Sequence, residues 1–256
     1  MKRLIFLLFA TVVMCDVMAQ EIVAHRGYHA GDGCEENSIA ALRAAQDAGA
    51  YAVTCDVNMT SDGTLIVVSG PWLGKRDDPD RLNVQRTDFV TLRSKRLANG
   101  EVVPTLDEFL KVVAESPTLR VFIDIKSHAT PQIESDVARK VTSAVKMHKL
   151  QERVSYLSMR QYLCSELVRL VPSGSEVIYL GGNLTPEYAK GLGYTAIGYS
   201  IDVFKRLPRW VDEAHKLGMK VGIWMVNSDE DALWALGRGA DYITTDRPAA
   251  TERAIR

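Results

Sequence analysis

The feature that most constrains this chain is a sustained alternation. A short run rich in Val, Ile and Ala is followed by an amphipathic stretch with a capping residue at its start, and the pattern then repeats. Eight such apolar runs centre near residues 23, 55, 123, 155, 178, 197, 223 and 243. Short apolar runs bounded by Gly, Pro or polar turns read as buried strands, and the stretches with apolar residues three and four apart read as helices. Helices are predicted over 38–48, 105–114, 130–148, 161–170, 185–190, 208–217 and 228–236, with a last one opening at 246–248. Thr105 followed by Glu108 and Ser228 followed by Asp231 read as capping boxes, and Pro131 and Pro186 stand at first-turn positions. Strands alternating with helices build a parallel sheet, and eight units predict a closed (β/α)8 TIM barrel, with an open doubly wound sheet as the alternative. No GxGxxG follows the first strand, which argues against a dinucleotide fold.

One unit breaks the rhythm. Strand 51–59 meets the turn Thr60, Ser61, Asp62, Gly63 and then a second apolar run, 64–68. Four residues are too few for a parallel crossover, so these runs form a hairpin. The returning arm brings Ser69 and Gly70 back towards Asp56 and His25. An insertion of about 70–104 follows. Its charges, among them Arg76, Asp77, Asp78, Asp80 and Arg81, predict a solvated loop with a short helix near 88–97.

In a barrel the carboxyl ends of the strands share one mouth, where ligands bind. The first strand ends in His25, Arg26 and Gly27. Along the second, Val53, Cys55 and Val57 alternate with Thr54, Asp56 and Asn58. Along the third, Val121, Ile123 and Ile125 alternate with Phe122, Asp124 and Lys126. The more apolar face covers the helix layer, so Thr54, Asp56, Phe122, Asp124 and Lys126 point inward. Ionisable groups on an inner face are costly unless paired or used. Two carboxylates can share a divalent cation, Arg26 and Lys126 can neutralise a phosphate, and His25 can move a proton. Trp224, at the end of the seventh strand, joins the mouth. The set suits metal-assisted cleavage of a phosphate ester.

The rest of the chain sets the context. Residues 1–19 combine a charged start, an apolar run over 4–14 and small residues at 17–19, which predicts a signal peptide cleaved after Ala19 and an exported domain over 20–256. Cys15 as a lipid anchor is disfavoured by the bulky Met14 before it. The run over 4–14 is too short to span a membrane, and no other long apolar run exists. The net charge of −1 without a basic cluster argues against nucleic acid. The three cysteines of the predicted mature chain, Cys34, Cys55 and Cys164, cannot all pair. Free thiols are expected, with a Cys34–Cys55 bridge as the alternative.

These pieces resemble the glycerophosphodiester phosphodiesterase family over residues 22–248. The likeness rests on AHRG at 24–27, Glu36–Asn37 where the family has Pro-Glu-Asn, and CDVNMTSDGTLIVV at 55–68. It continues through PTLDEFL at 104–110, FIDIK at 122–126, VGIWMVN at 221–227 and GADYITTDRP at 239–248. The resemblance implies a TIM barrel that hydrolyses glycerophosphodiesters, small-molecule substrates, to an alcohol and glycerol 3-phosphate with Ca²⁺ or Mg²⁺. It implies that His25 and Arg26 are catalytic and that Asp56 binds metal. Asp124 stands where a metal-binding glutamate is usual. Lys126, with Asn37, lies beside substrate.

Two positions depart. Thr54 replaces a metal carboxylate, and Ser69 replaces the second catalytic histidine. The implied cation is therefore weakly held, Glu36 is a candidate replacement ligand, and His29 or His128 is a candidate replacement for the missing histidine, although both are expected as exposed loop residues. Two readings follow: an exported phosphodiesterase, and a catalytically impaired barrel that binds a phosphodiester or other anion without turnover. A scaffold role through the insertion is a third. Oligomeric state is open on sequence grounds.

Overall fold

The computed structural model describes residues 20–74 and 76–256. The predicted signal peptide, with Cys15, lies outside the described residues. The elements run β1 (Glu21–Ala24), α1 (Ile39–Asp47), β2 (Ala52–Met59), β3 (Leu65–Val67), β4 (Trp72–Leu73), β5 (Leu82–Asn83), α2 (Phe89–Ser94), α3 (Leu106–Glu115), β6 (Arg120–Ile125) and α4 (Pro131–Met147). They continue with β7 (Val154–Ser158), α5 (Gln161–Leu170), β8 (Glu176–Tyr179), α6 (Pro186–Gly191), β9 (Ala196–Ser200), α7 (Ile201–Arg206), α8 (Arg209–Lys216), β10 (Lys220–Trp224), α9 (Asp229–Gly237), β11 (Tyr242–Thr245) and α10 (Pro248–Ile255).

β1, β2, β6, β7, β8, β9, β10 and β11 pair in parallel round a closed ring, because β1 bonds both β11 and β2. The chain is a (β/α)8 TIM barrel, and closure excludes the open sheet. β3 adds antiparallel to β2, the predicted hairpin. The inner and outer faces divide as the alternation requires. Val53, Cys55, Val57, Val121, Ile123 and Ile125 sit in the layer between barrel and helices. Phe122 faces inward with Val23, Leu157, Ile178 and Tyr242, its ring edge-on to Tyr242 at 4.9 Å between centroids.

Local chemistry explains the helix starts. Thr105 and Glu108 form a reciprocal capping box on α3, and Ser38, Thr130, Thr185 and Ser228 each accept a first-turn N–H. At Ser228 the capping is one-sided: its hydroxyl accepts from Asp231 N–H, and Asp231 turns instead to Lys205 at 2.6 Å. α7 was not predicted. It is only six residues long and follows β9 directly, with Ser200 at once the last strand residue and the helix cap.

The insertion is not the solvated loop its charges predict. β4 and β5 form a hairpin, α2 follows, and Leu73, Val84, Leu92 and Val103 pack with Ile66 and Val68 into a small core of their own. The charged residues face outward from this core. Trp72 lies apart from the barrel mouth, 45% exposed, under the Arg81 guanidinium at 4.5 Å from the ring centroid. Gln85 ties the insertion to the mouth, its Nε2 donating to Asn58 Oδ1 at 2.9 Å and to the Ser127 carbonyl at 2.8 Å.

Candidate active site

The turn after β1 is held by the segments that surround it. Arg26 takes a positive φ of 55°, a conformation that costs a non-glycine residue energy unless neighbours impose it. Three neighbours do. Its N–H donates to Thr54 Oγ1 at 2.7 Å, its carbonyl accepts from Asn37 N–H at 2.9 Å, and Tyr28 N–H closes onto the Ala41 carbonyl at 2.8 Å. Gly27, at φ 83°, lies so close to α1 that a Cβ would stand 2.6 Å from the Ala41 backbone. The result is a rigid platform from which His25 and Arg26 enter the mouth.

The mouth is a cavity of about 260 Å³ lined by His25, Arg26, Thr54, Asp56, Asp124 and Lys126 on one side. Leu157, Ile178, Leu180 and Trp224 form the apolar other side. Trp224 is fixed by its indole N–H on the Gly198 carbonyl at 2.7 Å. Thus all but Glu36, Asn37 and Ser69 of the sequence-predicted site residues line this one cavity. Glu36 and Asn37 touch its lining residues Arg26 and Asp56, and Ser69 lines a neighbouring cavity with Asp124 and Lys126.

Asp56 and Asp124 are register partners on β2 and β6, so two carboxylates stand side by side on the inner face. Like charges there are destabilising, and Lys126 resolves the conflict. Its Nζ lies 2.5 Å from Asp56 Oδ1 and 2.5 Å from Asp124 Oδ2. Burial works against the ammonium, but Asp124 and Asp56 outweigh it and hold Lys126 above its ordinary range. Burial raises the Asp124 carboxyl, with Lys126 opposing it. Asp56, almost fully buried, also has Asn37 Nδ2 on Oδ2 at 3.0 Å, and its own N–H reaches Asn37 Oδ1. Arg26 Nε is 2.6 Å from Asp56 Oδ2, an ion pair too bent to count as a hydrogen bond. Arg26 Nη1 meets Glu36 Oε2 at 2.5 Å, and Ser69 Oγ donates to Glu36 Oε1.

This arrangement bears on the implied metal ligands. Asp56, Asp124 and Glu36 do not converge as a set of three metal ligands. Lys126 occupies the place between the two aspartates that a cation would take, and Glu36 is spent on Arg26 and Ser69. The departed positions are likewise committed: Thr54 holds the Arg26 backbone and Ser69 holds Glu36. Asp124 Oδ1, like Arg26 Nε, is buried without a hydrogen-bond partner. The residues present do not fit a carboxylate-built divalent site.

The replacement histidines divide. His128 is half-buried rather than exposed. Its Nε2 accepts from Met59 N–H at 3.1 Å while Nδ1 donates to the Lys126 carbonyl at 2.8 Å. Burial holds it below its ordinary pKa, and its role is to staple β2 to the end of β6. His29 lies beside His25 at the rim, linked to it through a residue not predicted for the site. Asp246 follows β11, and the pairing of β1 with β11 sets it level with His25. His25 Nδ1 lies 2.8 Å and His29 Nε2 3.1 Å from the same oxygen, Asp246 Oδ1. Asn227 Nδ2 donates to Oδ2 at 2.6 Å. The hydrogen bond from His25, then those from Asn227 and His29, keep Asp246 well below the ordinary carboxylate range despite its burial. The sequence carries the signal as an acid directly after the last strand, a position that also suits a helix start. The three cysteines of the described chain are free, Cys34 half-buried and Cys55 and Cys164 buried, so no Cys34–Cys55 bridge forms.

The sequence profile of the glycerophosphoryl diester phosphodiesterase family matches residues 25–250. The chain belongs to this family. A glycerophosphodiester phosphodiesterase of Caldanaerobacter subterraneus subsp. tengcongensis is 26% identical over 242 residues, spanning 92% of this chain and 97% of that protein. The crystal structure of a glycerophosphodiester phosphodiesterase from Parabacteroides distasonis is 35% identical. It superposes with a TM-score of 0.87 over 92% of this chain and 96% of that one. An Oleispira antarctica phosphodiesterase, solved with the product sn-glycerol-3-phosphate, has a TM-score of 0.79 over 92% of this chain and 96% of that chain, at 20% identity, a likeness of fold.

Proposed function

We propose that this chain is an exported phosphodiesterase that hydrolyses glycerophosphodiesters to an alcohol and glycerol 3-phosphate. The observation that carries the reading is the mouth itself: a histidine fixed by a carboxylate, two cations and a cavity with one charged and one apolar wall. A phosphodiester would lie against Arg26 and Lys126, each of which keeps N–H groups beyond those its carboxylates engage. The phosphoglycerol end then occupies the charged side, and Leu157, Ile178 and Trp224 receive the apolar part of the alcohol. Asp246 fixes the His25 tautomer with its proton on Nδ1, leaving Nε2, which no group among the described residues bonds, to exchange a proton with the attacking water or the departing oxygen. In the net reaction water adds to phosphorus, the P–O bond to the alcohol breaks, and the proton from water ends on that alcohol.

The committed roles of Thr54 and Ser69 favour a second reading, a barrel that binds such an anion without turnover. General acid–base help is worth about 10²–10⁴-fold, and here one histidine must serve where the family resemblance implies two. The deciding experiment offers the purified protein a panel of glycerophosphodiesters, with and without Ca²⁺ or Mg²⁺, beside the His25→Ala variant. Turnover abolished in His25→Ala upholds the hydrolase. Saturable binding with no turnover above that variant upholds the binder.

A further inference from the structure

We infer that His25, His29 and Asp246 form a site for a zinc-class transition-metal dication, separate from the carboxylate pair on β2 and β6. Among the described residues they are the one group of three histidine, cysteine or carboxylate ligands whose donor atoms all lie within 4.8 Å of one another. The donors are His25 Nδ1, His29 Nε2 and one Asp246 oxygen. Two imidazoles and one carboxylate, with positions left open, make the ligand set of catalytic zinc and non-haem iron centres. Imidazole selects such metals over Ca²⁺ and Mg²⁺, which prefer oxygen.

The spacing agrees. Ligands about 2.0–2.1 Å from a tetrahedral zinc stand about 3.3 Å apart, and the two histidine nitrogens already lie 2.8 and 3.1 Å from Asp246 Oδ1. A cation therefore needs only a small spreading of the three side chains. Both imidazoles now converge on a single carboxylate oxygen, so two ring protons point into the volume a metal would fill. On binding, each ring carries its proton on the other nitrogen, and no external acid or base is consumed. The outer support is in place. Asn227 Nδ2 holds the second Asp246 oxygen at 2.6 Å, and Asn227 Oδ1 accepts from Asp246 N–H at 2.9 Å, fixing the carboxylate as outer-shell partners of metal sites do. The three donors come from rigid positions as well: the end of β1, the loop held against α1, and the end of β11. The carboxylate pair offers no such opening, because Lys126 already fills it.

The site shares His25 with the proposed reaction, which gives it a consequence. A metal on Nδ1 forces the ring proton onto Nε2 and removes His25 as a base. A zinc-class cation is then an inhibitor of the hydrolase, opposite to the activation that the family resemblance implies for Ca²⁺ or Mg²⁺. The binding itself does not rest on the hydrolase reading, and its test needs no turnover.

The purified protein, stripped with chelator, is titrated with Zn²⁺ by calorimetry and with Co²⁺ by visible absorption. The expected result is one equivalent bound, with a Co²⁺ ligand-field band that Zn²⁺ abolishes. His29→Ala and Asp246→Asn each weaken Zn²⁺ more than about 100-fold, and Asn227→Ala weakens it by about 10–100-fold, the cost of a supporting residue. His29→Gln, which keeps a polar group in the half-exposed loop, is the second test of the ligand should His29→Ala fold poorly. Asp124→Asn leaves binding unchanged. Absence of stoichiometric Zn²⁺ binding overturns the inference. So does binding that survives both His29 variants, or that is lost in Asp124→Asn, which would place the cation between the barrel carboxylates.

Discussion

Removing the Lys126 ammonium while keeping its stem tests the electrostatics of the mouth most directly. In Lys126→Met, Asp56 keeps Arg26 and Asn37, but Asp124 loses its one partner, and its Oδ1 is already unsatisfied. Breaking a buried ion pair by deleting one partner costs about 3–5 kcal/mol. Because Lys126 is a quarter exposed, the low end applies, about 3 kcal/mol, or about 6–12 °C in Tm for a domain of this size. The pH dependence has a definite sign. Burial already raises Asp124 in the folded state, and losing Lys126 raises it further. A carboxyl with a raised folded pKa costs stability above its unfolded value near ~3.9, so the deficit of the variant shrinks as pH falls from 8 towards 5. Adding Asp124→Asn removes the stranded charge and brings stability back to within about 1 kcal/mol of the parent. The assay is thermal and urea unfolding of the parent, the single variants and the double variant at pH 5 and pH 8. A Lys126→Met protein as stable as the parent at pH 8, or a double variant no better than the single, would refute the claim that Lys126 is the counter-ion of both aspartates.

Three further outcomes are expected. Thr54→Val keeps the side-chain shape but leaves the Arg26 N–H without its acceptor, so urea unfolding should show a loss of about 1–3 kcal/mol. Gly27→Ala drives a Cβ into the α1 backbone at a positive φ and should cost at least about 2 kcal/mol, visible as a lowered Tm or loss of soluble protein. His128 accepts from Met59 only when neutral, and burial depresses its folded pKa. Its contribution is therefore present above the unfolded value near ~6.5 and lost as pH falls through the folded one. His128→Gln should accordingly lower Tm less, relative to the parent, at pH 5 than at pH 7.5.

Family membership leaves the chemistry of the individual mouth to be settled residue by residue. Here the carboxylates are neutralised from within by Lys126 and Arg26, and His25, His29 and Asp246 cluster beside them. On the inferred zinc site, such a barrel would respond to Zn²⁺ in the opposite sense to the activation that the sequence resemblance implies for Mg²⁺, and comparing the two on one preparation separates the behaviours.

The eight strands, the helices between them other than α7, and most helix caps are legible in the sequence, because period, apolar runs and capping residues are local properties. The sequence also shows that Thr54, Asp56, Asp124 and Lys126 share the inner face, since alternation along a strand fixes the side. Where local signals competed, it misled. The charges of 71–100 hid the small core formed by Leu73, Val84 and Leu92, which are too widely spaced to show a period. The pairings, by contrast, come from the assembled barrel. His25 and Asp246 are 221 residues apart and meet because the ring closes between β1 and β11. The β2–β6 register sets Asp56 beside Asp124, which makes Lys126 an internal counter-ion, while the hairpin return brings Ser69 to Glu36. Register and closure are properties of the whole barrel, and no local pattern carries them.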